Sequence, residues 1–197
     1  AVDGGFDITP SFGSSSTVCR EGIGGLKGTK LSVNDILPCE TTTHARLVKL
    51  SEQDQPKYCN ELRLRIIPSY QHQHFSSFQQ KLFYSSEYKV GKSYDRMGYR
   101  LEGPKIICDI DGILSEGICS GAVQLPKDGQ PIVLMNDRQT IGGYPKIGSV
   151  ISLDTAKLGQ LAQGGKIRFE AISMEKARKL IINDLNLFNQ TDVLFCD

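Results

Sequence analysis

The run from residue 121 to residue 151, GAVQLPKDGQPIVLMNDRQTIGGYPKIGSVI, constrains the fold more than any other stretch of the chain. Two short apolar runs, residues 123–126 and 132–135, read as strands. Pro126, Asp128 and Gly129 form the turn between them, because proline presets φ and glycine permits positive φ. After the second run come Asn136, Asp137, Arg138, Gln139 and Thr140, five side chains that can hydrogen-bond, then Ile141 and the pair Gly142-Gly143. A strand that ends in a charged, glycine-rich loop suits a ligand site. The strand fixes the side chains, and the glycines let backbone N–H groups approach an anion or a carbonyl.

The rest of the chain reads as short strands with few helices. Residues 62–68 alternate apolar and basic, a half-buried strand ending at Pro68, with Arg63 and Arg65 on one face. Further strands are expected at 88–90 and 166–172, and a short one at 31–37 with a turn at Asn34-Asp35. Phe75, Phe78, Leu82 and Phe83 have helical spacing and suit packing. Asp154 is placed as the N-cap of a helix over 155–162, ended by Gly164-Gly165. Ser173 caps a final helix with Glu175 in its first turn and Ala177, Leu180, Ile181 and Leu185 on one face. The last ten residues read as a tail. Residues 49–60, polar with one proline, are the best linker. This pattern predicts a mainly β fold with a few helices, closed or nearly closed as a barrel, and not a parallel α/β sheet.

Composition excludes several classes. The 197 residues carry a net charge of +1, with acids and bases interspersed, which argues against nucleic-acid and anionic-membrane partners. No apolar run approaches the length of a membrane span. Six cysteines include no Cys-x-x-Cys pair, so no zinc site is expected and free thiols are, although an even count leaves disulfides open. His72 and His74 stand two apart, as on a strand, but have no third ligand nearby; no metal is predicted. The glycines between Gly22 and Gly28 lack the Gly-Lys-Ser/Thr ending of a phosphate loop. Ser115 has no histidine within forty positions and is taken as a turn or polar-pocket residue.

The segment Ser93-Tyr94-Asp95-Arg96-Met97-Gly98-Tyr99-Arg100-Leu101-Glu102-Gly103 sets two arginines around a glycine. Arg96 and Arg100 can hold a carboxylate or phosphate by paired N–H bonds; the alternative is a salt bridge between Asp95 and an arginine that fixes a loop. With the 121–151 run and Ser115-Glu116-Gly117-Ile118, this segment resembles the biotin-dependent carboxyltransferase-like family. That family includes allophanate hydrolase subunit 2, the KipA proteins, the C-type subunit of 5-oxoprolinase and the carboxyltransferase domain of urea carboxylase. The matching residues include Gly121, Gln124, Pro126, Asp128, Gly129, Asp137, Arg138, Gln139, Thr140, Gly142, Gly143, Tyr144 and Pro145.

The resemblance implies cyclophilin-like β-barrel lobes, with residues 1–50 the remainder of a first lobe and 58–190 a complete second. It covers roughly the C-terminal two-thirds of the family's usual length, so the expectation is a fragment or a truncated member. Two family arginines are replaced, one by Ser15 and one at Gly28-Thr29. The implied function is a subunit of an ATP-dependent amide-cleaving enzyme, foremost the C-type subunit of 5-oxoprolinase. It would be cytoplasmic, inactive alone, and assembled with a homologous B-type subunit and a further catalytic subunit. Alternatives are a KipA-type binder of a histidine-kinase inhibitor and a biotin-dependent carboxyltransferase component. ATP is expected through the complex, and biotin only in the carboxyltransferase case. The implied catalytic residues are Arg96, Arg100, Asp137 and Arg138; the implied substrate-binding residues are Gln124, Gln139, Thr140, Gly142, Gly143 and Tyr144. Asp137-Arg138 as a structural pair, and Gly142-Gly143 as a tight turn, remain open.

Overall fold

Strand pairing accounts for most of what the chain builds. The computed structural model describes residue 2 and residues 4–39, 48–52, 54–190 and 193–195. It divides into two units, residues 1–52 with 192–197, and residues 53–191. In the first, β1 (Val48–Leu50) pairs antiparallel with β11 (Val193–Phe195). The other described residues of that unit form turns and isolated bridges, such as Val18 with Ile23. The short strand expected at 31–37 is a turn instead. Asp35 accepts from the Ser32 N–H at 2.6 Å and Asn34 has φ of 75°, a geometry that breaks extended alternation. β11 also corrects the expected tail.

In the second unit the elements are β2 (Glu61–Pro68), a 3-10 turn (Tyr70–His74), α1 (Ser77–Ser85), β3 (Tyr88–Tyr94), β4 (Gly98–Glu102), β5 (Glu116–Gly117), β6 (Ala122–Gln124), β7 (Ile132–Leu134), β8 (Ile141–Gly142), β9 (Lys146–Val150), α2 (Ser152–Leu158), β10 (Lys166–Ala171) and α3 (Met174–Gln190). Seven strands close a barrel in the order β10-β2-β9-β6-β7-β4-β3. β2 and β10 run parallel, Lys166 opposite Glu61; the other barrel pairs are antiparallel. Closure leaves the sheet no free edge, as the many short strands require.

Alternation puts one side chain in two inside. Leu64, Ile66, Val90, Leu101, Val123, Val133, Ile147 and Ile167 are at most 2% exposed, each stabilising the fold by about 1.5–3 kcal/mol. Ser76 caps α1 by accepting from the Gln79 N–H. Phe83 of α1 stacks on Phe169 of β10 with ring centroids 4.4 Å apart. The expected apolar face is only partly right here: Phe75 is buried ahead of the helix, whereas Phe78 faces solvent. The two histidines stand on the 3-10 turn, not on a strand, and His74 Nδ1 meets Asp109 Oδ1 at 3.1 Å.

Two helix boundaries differ from expectation. α2 starts at Ser152 with Ile151 as its N-cap, so Asp154 lies inside the first turn and does not cap it. Its carboxylate is held by Arg65 of β2 instead. α3 begins after Ser173, whose Oγ accepts from the Lys176 N–H, as expected, but runs on to Gln190. The β6–β7 turn also follows the sequence: the Gly129 N–H donates to Pro126 O at 2.8 Å, and Gly129 has φ of 75°.

Outside the barrel, β5 and β8 form a two-stranded ribbon, Glu116 opposite Gly142 and Gly117 opposite Ile141. The Ile118 N–H donates to Thr140 O and the Ile113 N–H to Gly143 O, each at 2.9 Å. The ribbon thereby brings residues 136–143 against β6.

Candidate functional site

The β3–β4 turn is set by Asp95, whose Oδ1 accepts from the Met97 N–H at 2.7 Å and the Gly98 N–H at 3.2 Å. The ion pair considered for Asp95 is therefore replaced by backbone bonds, and Arg96 has a different carboxylate. Arg96 Nε and Nη2 donate to Asp137 Oδ2 and Oδ1 at 2.7 and 3.0 Å. The Asp137 N–H also donates to Arg96 O at 2.8 Å. This bidentate clamp ties the β3–β4 turn to the loop after β7. The hydrogen bond from Arg96 holds the Asp137 carboxyl below its ordinary range. Arg138 does not pair with Asp137: its Nε donates to Ile118 O at 3.1 Å, linking the loop to the ribbon.

Arg100 takes another direction. It pairs with Asp128 of the β6–β7 turn and borders a cleft of about 650 Å³. Lys92, Tyr94, Asp95, Gln124, Gln139 and Tyr144 share that cleft, with Ile132 and Leu134 as apolar wall. Four residues singled out from the sequence thus converge here: Arg100, Gln124, Gln139 and Tyr144. Arg96 lines a neighbouring hollow of about 410 Å³ with Tyr99 and Asn136. Thr140 and Gly143 serve the ribbon through their backbone carbonyls.

Gln124 is the unusual member. It is 1% exposed, and its Nε2 has no hydrogen-bond partner. Gly142 lies directly against it. A Cβ built on Gly142 would fall 2.5 Å from Ile118 Cδ1, 3.1 Å from Gln124 Nε2 and 3.7 Å from Gln139 Nε2. The glycine is therefore required by close approach.

Beside this lies a network that reading the sequence missed. Lys146 of β9 is 8% exposed and forms an ion pair with Glu116 of the ribbon. The Tyr70 hydroxyl donates to Glu116 Oε2, and Gln71 Nε2 donates to Glu116 Oε1 at 2.8 Å. Gln71 Oε1 in turn accepts from the Lys146 N–H at 2.8 Å, across 75 residues of chain. Hydrogen bonds from Lys146 and then Tyr70 lower the Glu116 carboxyl from its ordinary pKa. The one available signal was a lysine opening an otherwise apolar strand.

Among the described residues no group of three or more His, Cys, Asp or Glu side chains is placed to hold a metal ion. Cys19, Cys39, Cys59, Cys108 and Cys119 are free thiols; Cys196 lies outside the described residues. No helix among the described residues is long and apolar enough to cross a membrane.

The family model for the carboxyltransferase domain, subdomains A and B, matches residues 1–171. The chain belongs to that family. This carboxyltransferase-domain chain is 38% identical over 191 residues to the C-type subunit of 5-oxoprolinase from Escherichia coli (strain K12), covering 96% of itself and 61% of that protein. It is 37% identical over 180 residues to the corresponding 5-oxoprolinase subunit of Haemophilus influenzae, covering 91% of itself and 57% of that protein. It therefore spans about three-fifths of the length of these curated relatives. The crystal structure of the Kluyveromyces lactis urea carboxylase superposes with a TM-score of 0.80 at 22% identity, covering 91% of this chain and 18% of that one. At that identity the likeness is one of fold, and it accords with the closed barrel.

Proposed function

We propose that the chain is part of a 5-oxoprolinase, as its C-type subunit, acting with partner subunits in ATP-dependent cleavage of a small amide. One observation carries this reading. In a chain 38% identical to such a subunit, Arg100, Gln124, Gln139 and Tyr144 meet at one cleft. That cleft offers a cationic side, Lys92 and Arg100, and an amide side, Gln124 and Gln139. A ligand bearing a carboxylate and an amide has a complement for each. Arg100 and Lys92 bind the charged end; Gln139 and Tyr144 orient the neutral end. Arg96–Asp137 and Arg138 act on the chemistry through position, by holding the two loops that frame the cleft. Lys146–Glu116 anchors the ribbon that carries Gly142.

ATP is assigned to the complex as a whole, with a homologous B-type subunit and a further catalytic subunit as the partners. Biotin enters through relatives such as a putative urea carboxylase of Emericella nidulans, 28% identical over 210 residues. The ureido ring of biotin carries N–H and C=O groups that suit the unpartnered Gln124 Nε2 and Gln139. Carboxylated on that ring, biotin would supply a carboxyl group. Residues 1–50 are assigned to the end of a first lobe and 58–190 to the second, and the enzyme is placed in the cytoplasm.

The test is co-expression of the full-length gene with its neighbouring subunits and an assay of ATP-dependent 5-oxoproline cleavage. Arg100→Ala, in a complex that assembles and melts as wild type does, is expected to lose at least about tenfold in kcat/KM, as removing a charged hydrogen bond implies. An inactive wild-type complex would count against the substrate. An unaffected variant would count against the cleft.

A further inference from the structure

An amide N–H2 buried without an acceptor opposes folding, and an apolar side chain of the same shape would avoid that cost. Gln124 is such a case on β6, at 1% exposure and with Nε2 unpartnered. Its position is dictated by register, because it stands opposite Ile132 of β7 and Lys146 of β9. Its barrel neighbour Val123 is apolar and fully buried.

What lies over the amide is thin. Gly142 covers it from a ribbon only two residue pairs long. From the far side Gln139 Nε2 approaches the same space, 3.7 Å from where a Gly142 Cβ would be. Two carboxamide nitrogens, one from the barrel and one from the loop, therefore converge beside a residue without a side chain. The buried cation Lys146 is already paired with Glu116. The carboxamides are neutral and suit an uncharged carbonyl between them, with Lys92 and Arg100 left to the charged end of the same cleft.

We propose that Gln124 and Gln139, which line one cleft, form a subsite that reads a neutral carbonyl flanked by N–H. The carboxamide oxygens accept the ligand's N–H while their nitrogens donate to its C=O. Binding relieves the unpartnered donor, so the cost carried by the empty site returns as affinity. This rests on the amide-cleaving reading above and deepens it. The same chemistry has two sources, the lactam of a cyclic amino acid such as 5-oxoproline, and a ureido group as in urea or biotin.

The experiment uses the full-length protein in complex with its partner subunits. Calorimetric titration with 5-oxoproline, urea and biotin, each alone, identifies the source. Gln124→Met is expected to melt at or above the wild-type temperature and to bind the active probe about ten- to a hundredfold more weakly, as loss of one to two buried hydrogen bonds implies. Turnover of 5-oxoproline, if that is the probe, should show the loss in KM more than in kcat. Gln139→Met, at an exposed position, guards against misfolding and should weaken the same probe. Unchanged affinity in either variant overturns the subsite, as does a wild-type complex that binds none of the three. A complex that binds a probe through Gln124 yet cleaves no 5-oxoproline refutes the amide-cleaving reading and leaves the subsite standing.

Discussion

Asp154 sits in the first turn of α2, yet its carboxylate belongs to β2. It accepts from the Arg65 backbone N–H at 2.7 Å, from Nε at 2.8 Å and from Nη2 at 2.6 Å. The Asp154 side chain is 2% exposed and that of Arg65 21%. Here the geometry is good and every bond crosses between elements, so the pair fixes α2 on the barrel. Asp154→Ala would strand the guanidinium and is expected to destabilise the protein by about 3–5 kcal/mol. Arg65→Met with Asp154→Leu should recover much of that loss, because the uncompensated charge goes too. Urea unfolding of the three proteins measures both; a single variant as stable as wild type would show that the pair does not fix the helix.

The Glu116 contacts make stability depend on pH. Lys146 and Tyr70 lower the folded-state pKa of this carboxyl below its unfolded value. Between the two values the unfolded chain binds more protons, so stability rises with pH through that window. The contribution is complete above the unfolded carboxyl pKa and is lost as pH falls through the folded one. Urea midpoints are therefore expected to favour wild type over Glu116→Gln at about pH 7, with the gap narrowing below about pH 4. A gap that stays constant with pH would remove Glu116 as its source.

The strands were legible because their signal is local, whereas the cyclophilin-like barrel was expected from the family resemblance. Alternation over Glu61–Pro68 and Lys166–Ala171, and the Pro126–Gly129 turn, each follow from neighbours in the chain. Asp154 misled because Asp ahead of an apolar run has the form of an N-cap, and only the β2–α2 packing shows a stronger partner. The site was half legible for the same reason. Arg100 and the 121–151 residues stood out as polar groups near glycine, but which arginine meets which acid depends on strand register. Asp95 was weighed as a partner and bonds backbone instead; Arg96 reaches 41 positions to Asp137. That Lys146, Glu116 and Gln71 form one network was not legible, since they join across three separate elements.

Tyr84 offers a stability test far from the cleft. Its hydroxyl is buried without a partner, while its ring meets Phe83 edge-on at 5.1 Å between centroids. Burial pushes the phenol up to about 12. Tyr84→Phe keeps the ring and removes an unsatisfied group, so it is expected to leave stability unchanged or raise it by about 1 kcal/mol. Thermal melting decides this, and a clear drop would mean that the hydroxyl has a partner in solution. Ultraviolet titration of the wild type should show this phenol ionising later than exposed tyrosines.

Two glycines of the same ribbon give the sharpest separation of site from scaffold. Gly117 and Gly142 lie on β5 and β8. A Cβ on Gly117 would meet nothing within 4 Å, whereas one on Gly142 would fall 2.5 Å from Ile118 Cδ1 and 3.1 Å from Gln124 Nε2. Neither has positive φ, so alanine strains neither backbone and the difference is one of contact alone. Gly117→Ala is expected to be silent. Gly142→Ala must displace Ile118 or lift the ribbon, costing about 1–3 kcal/mol of overpacking. It should also fill the space on which Gln124 and Gln139 converge, lowering substrate affinity by about tenfold or more while the barrel stays folded. Circular dichroism, and the KM for 5-oxoproline in the complex that the proposed function calls for, read the two effects separately. If both variants behave as wild type, the close approach at Gly142 has no bearing on the ligand. If both fail, the ribbon as a whole, and not the Gln124 contact, sets activity.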